Sequence, residues 1–146
     1  MRTLPVYLRL FAVAVPFNLL WEMTQASLYA PMGTFWQATW RCFGASLGDA
    51  AMIVSIAVIG AALFGTSRWF ARLTVPRLLF AALAALTVAI AVERWGLRTG
   101  RWKYNEHMPL VPGTRFGVVP LAQMVLLTPV TLWIANLRRS HTPDQT

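Results

Sequence analysis

Residues 46–65 read SLGDAAMIVSIAVIGAALFG, twenty positions that carry one charge, Asp49. A hydrocarbon core about 30 Å thick needs about 20 predominantly apolar residues per helix. Three more runs of this kind lie around it, at 5–29, 76–97 and 116–137. Composition agrees: 57% of the 146 residues are hydrophobic and 12% are charged, against roughly 45–50% and about 25% in an average soluble domain. These figures exclude a disordered chain, a disulfide scaffold and an ordinary soluble domain. One small core cannot absorb four such runs within so short a chain. The expected fold is all-α, a four-helix transmembrane bundle forming one domain over 1–137, with a polar tail at 138–146.

The expected connections are about 16, 10 and 18 residues long. Pro76 suits the first turn of a helix. Pro16, Pro120 and Pro129 lie inside or near the start of helices and are expected to kink them. The first run is expected to be retained, since Asn18, Glu22 and Gln25 interrupt it and Leu28-Tyr29-Ala30 lacks a small-x-small cleavage pattern. Thirteen Lys+Arg against five Asp+Glu give a net charge of +8. The basic residues stand at the ends of the apolar runs and form no basic helix face, so nucleic acid is not expected as a partner. With both ends inside, Arg2, Arg9, Arg68, Arg72, Arg77, Arg138 and Arg139 face Arg41, Arg98, Arg101, Lys103 and Arg115 outside. That bias favours cytoplasmic termini in a bacterial inner membrane. Cys42, the one cysteine, reads as a small buried apolar residue.

Small residues mark the packing. Ala82, Ala85, Ala89 and Glu93 share a face of the third helix, and Gly44 and Gly48 form a small-xxx-small pair. Helix packing accounts for both.

The polar residues are informative through their depth. Asn18, Glu22 and Gln25 share a face near the end of the first helix. Asp49 stands about one turn into the second, Glu93 about one turn from the end of the third, and Gln123 about two turns into the fourth. Alternating helix directions bring all of them to one membrane layer. Intramembrane charges are costly and mark a pathway or site. A carboxylic acid kept neutral in an apolar pocket can serve as a general acid. Glu93, Glu22 and Asp49 are therefore the candidate catalytic residues, with Glu93 as principal acid. Pairing with Arg94, Arg98 or Arg41 is the structural alternative.

Two aromatic connections are expected over this layer. One holds Tyr29, Phe35, Trp36, Trp40 and Phe43, the other Trp102, Tyr104 and His107. Trp and Tyr serve as interface anchors; here they can equally form a lid over an apolar pocket and stabilise a developing carbocation. Asn18, Gln25, Trp36, Trp40, Trp102, Tyr104 and Gln123 are the candidate substrate-binding residues. His107 beside Glu106, with His141 far off in the tail, gives too few ligands for zinc, haem or copper. No metal or cofactor is expected. Nucleophile and phosphate-loop motifs are absent from the sequence.

From Glu93 the chain reads Glu93-Arg94-Trp95-Gly96, then Gly100-Arg101-Trp102-Lys103-Tyr104, then Val119-Pro120-Leu121-Ala122-Gln123. This stretch resembles the small membrane lycopene cyclase domains of carotenoid biosynthesis. Those domains place an acid in a helix, Trp-x-Tyr in a loop and Pro-Leu-Glu-Glu at the start of the next helix. Trp102 and Tyr104 match the second element and Pro120-Leu121 the third, whereas Ala122 and Gln123 replace its paired carboxylates. The whole chain also resembles small bacterial membrane proteins with Trp-Glu in the first helix. The resemblance implies a cofactor-free membrane enzyme acting on an isoprenoid or carotenoid chain by proton-initiated cyclisation, hydration or isomerisation. Without the paired carboxylates, Glu22, Asp49 or Glu93 has to supply the proton. A non-enzymatic lipid- or pigment-binding module, or a small assembly subunit, is the other reading. Expected partners are a membrane lipid or isoprenoid, and a second copy of the chain or another membrane protein.

Overall fold

The computed structural model describes residues 4–137. The tail at 138–146, with Arg138, Arg139 and His141, lies outside the described residues, as does Arg2. Four helices are present: α1 (Leu4–Gln25), α2 (Phe35–Phe64), α3 (Val75–Arg98) and α4 (Val118–Leu137). Each is long and apolar enough to cross a membrane, and no strand occurs among the described residues. The protein is an all-α membrane bundle.

The largest departure from expectation is α2, which begins at Phe35 rather than near 46 and runs for 30 residues. Its start is fixed by a reciprocal cap. Thr34 Oγ1 accepts from the Gln37 amide, while Gln37 Oε1 accepts from the Thr34 amide at 2.8 Å. This Thr-x-x-Gln pattern satisfies two otherwise orphaned donors. At about 1.5 Å per residue the helix spans roughly 45 Å, which exceeds the hydrocarbon core and carries its first turns beyond it. Phe35, Trp36, Trp40 and Phe43 thus stand on a helix, not on a connection. At the other end, Gly65 takes a left-handed backbone, φ 70°, and stops the helix. Thr74 and Pro76 open α3, and Pro16 and Pro129 lie within α1 and α4.

α1 packs along α2 and α4, and α3 packs along α4, whereas α2 and α3 scarcely touch. The buried stripe of α3 is Ala81, Ala85, Ala89 and Glu93; Ala82 is only partly covered and is replaced in the expected stripe by Ala81. These small side chains let backbones approach closely in an apolar solvent that supplies little hydrophobic drive between helices. Gly44 and Gly48 depart further from expectation. Both are exposed, and a methyl group built on either would meet nothing within 4 Å. They pack against no helix of this chain.

The connections at the two ends differ. Between α2 and α3, Trp69 is completely buried, donates from Nε1 to the Ala57 carbonyl at 2.8 Å and lies on Gly60. Phe64, Phe70 and Phe80 surround its ring. At the opposite end the long connection after α3 clasps the segment after α1. The Ala30 amide donates to the Lys103 carbonyl at 2.9 Å, and the Asn105 amide donates to the Leu28 carbonyl at 3.0 Å.

Candidate functional site

A cavity of about 790 Å³ opens between α2 and α3 at the clasped end. Its inner wall carries Glu22 from α1, Asp49 from α2, Glu93 from α3 and Gln123 from α4. The layer read from the sequence is thus one place, reached from four helices. Asp49 lies in the middle of α2, not one turn from its start, because α2 begins earlier than expected. Its level in the bundle is nevertheless that of the other three.

Hydrogen bonds organise the group. Gln123 Nε2 donates to Asp49 Oδ2 at 2.8 Å and to Asn18 Oδ1 at 3.1 Å. Gln25 Nε2 donates to Glu22 Oε1 and to Gln123 Oε1, both at 2.9 Å. Asn18 is held in turn by donating to the Ala14 carbonyl. Glu22 and Asp49 are joined through these amides: Gln25 holds Glu22, Gln123 holds Asp49, and the two amides bond to each other. Glu93 has a different shell: Tyr104 donates to it from the hydroxyl and Trp102 from Nε1. The Tyr104 oxygen also accepts from the Gly117 amide at 3.1 Å, which anchors the connection onto the start of α4.

No described arginine neutralises these acids. Among the described residues the one ion pair joins Glu106 and His107 at 3.8 Å, on the surface. Arg41, Arg94 and Arg98 therefore do not lock the bundle through Glu22, Asp49 or Glu93, which removes the structural alternative based on those pairs. Amides and ring donors hold the acids instead. Among the described residues no group of three or more His, Cys, Asp or Glu side chains is placed to hold a metal ion.

The expected substrate contacts divide. Trp40 and Trp102 line the cavity. Trp36 does not: it is 69% exposed on the first turn of α2, one turn beyond Trp40 and outside the cavity. Asn18 and Gln25 are buried behind the wall and brace Gln123 and Glu22. Tyr104 stands behind Glu93, with the edge of Tyr29 against its ring at 5.5 Å. Burial, reinforced by the Glu93 carboxylate, raises the Tyr104 hydroxyl well above the usual range. Burial and the nearby acids do the same to Tyr29.

Family models, curated proteins and solved structures yield no match to the chain. Function has to be argued from the site.

Sequence reasoning missed three features here. Arg41, Arg101 and Lys103 line the outer part of the cavity, yet in sequence they read as topology charges, or for Arg41 as an ion-pair partner of the acids. The Gly44–Gly48 pair forms cavity wall. Gly96 is a seat for Trp102, whose indole occupies the space a side chain at 96 would take. The pairing of Gly96 with a tryptophan six positions on was the available signal.

Proposed function

We propose that the protein is a membrane-embedded enzyme that carries out proton-initiated chemistry on an isoprenoid or carotenoid chain, of cyclase, isomerase or hydratase type. One observation carries this reading: three carboxyl groups with no cationic partner among the described residues border a cavity walled by Trp40, Trp102, Met52 and Met124. Burying acids without counter-ions is costly, and a donor facing an alkene in a partly dry, aromatic site is what the arrangement can supply.

The hydrogen bonds divide the work. We place the proton donor on the Glu22–Asp49 pair, whose carboxyls Gln25 and Gln123 bridge, rather than on Glu93. Glu93, which accepts from Tyr104 and Trp102, is the acceptor. A proton passes from the pair to one alkene carbon, and the π electrons form the new C–H bond. The adjacent carbon becomes a cation, which the ring faces of Trp40 and Trp102 stabilise. Attack by a second double bond closes a ring, and loss of a neighbouring proton to Glu93 restores an alkene. The sequence is redox-neutral. Glu93 then releases its proton to water in the cavity, which returns a proton to the pair; capture of the cation by that water, with the surplus proton passing to Glu93, is the hydratase outcome.

We assign the protein to the bacterial inner membrane with both termini cytoplasmic, on the seven-to-five charge bias. Three of the seven, Arg2, Arg138 and Arg139, lie outside the described residues.

The test is expression in a carotenoid-producing host, comparing products for the wild type, Glu22→Gln and Glu93→Gln. A new isoprenoid in the wild type that both variants lose supports the enzyme. Unchanged isoprenoids with all three proteins folded overturn it in favour of the lipid- or pigment-binding module, for which cavity size and aromatic wall suffice.

A further inference from the structure

The cavity is open on one side. Its flanks are α2 from Trp40 to Met52 and α3 from Ala89 to Trp95, with Glu22 of α1 and Gln123 of α4 behind. Both flanking helices are long and apolar enough to cross a membrane, so a gap between them gives onto lipid. Along it, Arg41, Ala45, Gly48 and Met52 fall on one face of α2 at offsets of four, seven and eleven. That row runs from a charge through small residues to an apolar side chain.

The charges are segregated by depth. Arg41 from α2 and Arg101 and Lys103 from the clasp are all exposed, while Glu93 is buried and Glu22 and Asp49 are partly buried. None of the three cations enters an ion pair among the described residues. The Arg101 guanidinium is held 5.3 Å over the Trp95 ring, so its position is set by stacking while its N–H donors are directed elsewhere. A cationic head group would meet these three residues before any acid. An anionic one would find two guanidinium forks and an ammonium across the mouth, the donor types suited to phosphate oxygens.

We propose that the ligand of this cavity is an isoprenoid with an anionic phosphate-type head, not a neutral hydrocarbon. It enters sideways from the lipid between α2 and α3, its head on Arg41, Arg101 and Lys103 and its chain along Gly44 and Gly48. The two glycines keep the α2 backbone bare where the chain passes. A side chain there would meet no protein atom, but it would fill the path. This deepens the proposed function and rests on reading the cavity as the substrate site.

Equilibrium binding of radiolabelled geranylgeranyl monophosphate to the full chain in phosphatidylcholine nanodiscs tests it, with geranylgeraniol as the uncharged probe. The phosphate is expected to bind at least tenfold more tightly than the alcohol. The combined Arg41→Gln, Arg101→Gln and Lys103→Gln variant should lose that preference while binding the alcohol as the wild type does. Gly48→Leu should weaken both probes without lowering the unfolding temperature. Inorganic phosphate at matching concentration should not compete, since the head alone lacks the chain. Equal affinity for phosphate and alcohol, or a preference that survives the triple variant, overturns the proposal. Displacement by phosphatidylglycerol overturns the isoprenoid assignment in favour of a bulk lipid head group. The wild type separates the two levels: a head-group preference that the triple variant loses, in a wild type that forms no product, counts against the enzyme and not against this ligand class.

Discussion

The two ends of the bundle use one packing device for different purposes. At each, a tryptophan from a connection settles onto a helix glycine: Trp69 onto Gly60 of α2, and Trp102 onto Gly96 of α3. Trp69 Nε1 donates to a backbone carbonyl, and its ring is enclosed by phenylalanines. Its indole N–H is spent inside the fold. Trp102 Nε1 donates to the Glu93 carboxylate, and its ring borders an open cavity. What distinguishes site from scaffold is the partner of the indole N–H, not the aromatic count. One end closes over its tryptophan with its own side chains, and the other leaves acids facing space.

The sharpest break of this comparison is chemical. Glu22→Gln should reduce product formation by about 10²–10⁴-fold, the usual reach of a general acid, with the unfolding temperature little changed. Trp69→Phe at the closed end should leave product per folded molecule intact and cost about 1 kcal/mol for its lost hydrogen bond. Product yield by chromatography, normalised to folded protein, checks both. Loss of product from the closed-end change would erase the distinction.

The glycine seats come next. A methyl at either Gly60 or Gly96 overlaps an indole, and overpacking of this kind costs about 1–3 kcal/mol. Thermal unfolding in detergent should show both Gly60→Ala and Gly96→Ala destabilised. Only Gly96→Ala displaces Trp102 from Glu93, so only it should change product formation. Equal effects on product from the two would contradict the assignment.

Much of this contrast was legible in the sequence. Four apolar runs sufficed for the bundle, and the depths of Glu22, Asp49, Glu93 and Gln123 identified a common layer without any coordinates. The start of α2 was less accessible. Residues 35–45 mix aromatics, Arg41 and Gly44, so hydropathy alone places them in a connection; Thr34-x-x-Gln37 was the local signal that a helix begins there. Trp36 was assigned to the site for the same reason. The helix instead carries it one turn beyond Trp40, outside the cavity. The hydrogen bonds from Tyr104 and Trp102 to Glu93 depend on how two distant connections clasp, through Ala30, Lys103 and Asn105, and no spacing rule reaches that far.

A smaller effect follows from pH. Burial first, and the Glu93 contact second, hold the Tyr104 hydroxyl above its ordinary value of 10.0, and burial does the same for Tyr29. Above pH 10 the unfolded chain loses these protons while the folded chain keeps them, so the folded state binds more protons there. Stability is then full below pH 10 and falls as pH rises beyond it. Unfolding followed at pH 8 and pH 11 should show the loss, and Tyr104→Phe should reduce it. A drop that is unchanged in Tyr104→Phe and in Tyr29→Phe would contradict the clasp geometry.

The smallest expected effect has the opposite sign. Gly44 and Gly48 face open space, so Gly48→Ala should raise helix stability by about 0.5–1 kcal/mol, where Gly60→Ala lowers it. A destabilised Gly48→Ala would mean that α2 packs against something at this position and that the cleft is closed.

The central claim is that the uncompensated acids move protons onto a carbon chain. Membranes from an isoprenoid-producing host, incubated in deuterium oxide with the wild-type protein, test this directly by mass spectrometry of the extracted isoprenoids. The account predicts one carbon-bound deuterium per product molecule in the wild type and none above background in Glu22→Gln or Glu93→Gln. Incorporation that is absent from the wild type, or equal in all three proteins, would contradict it.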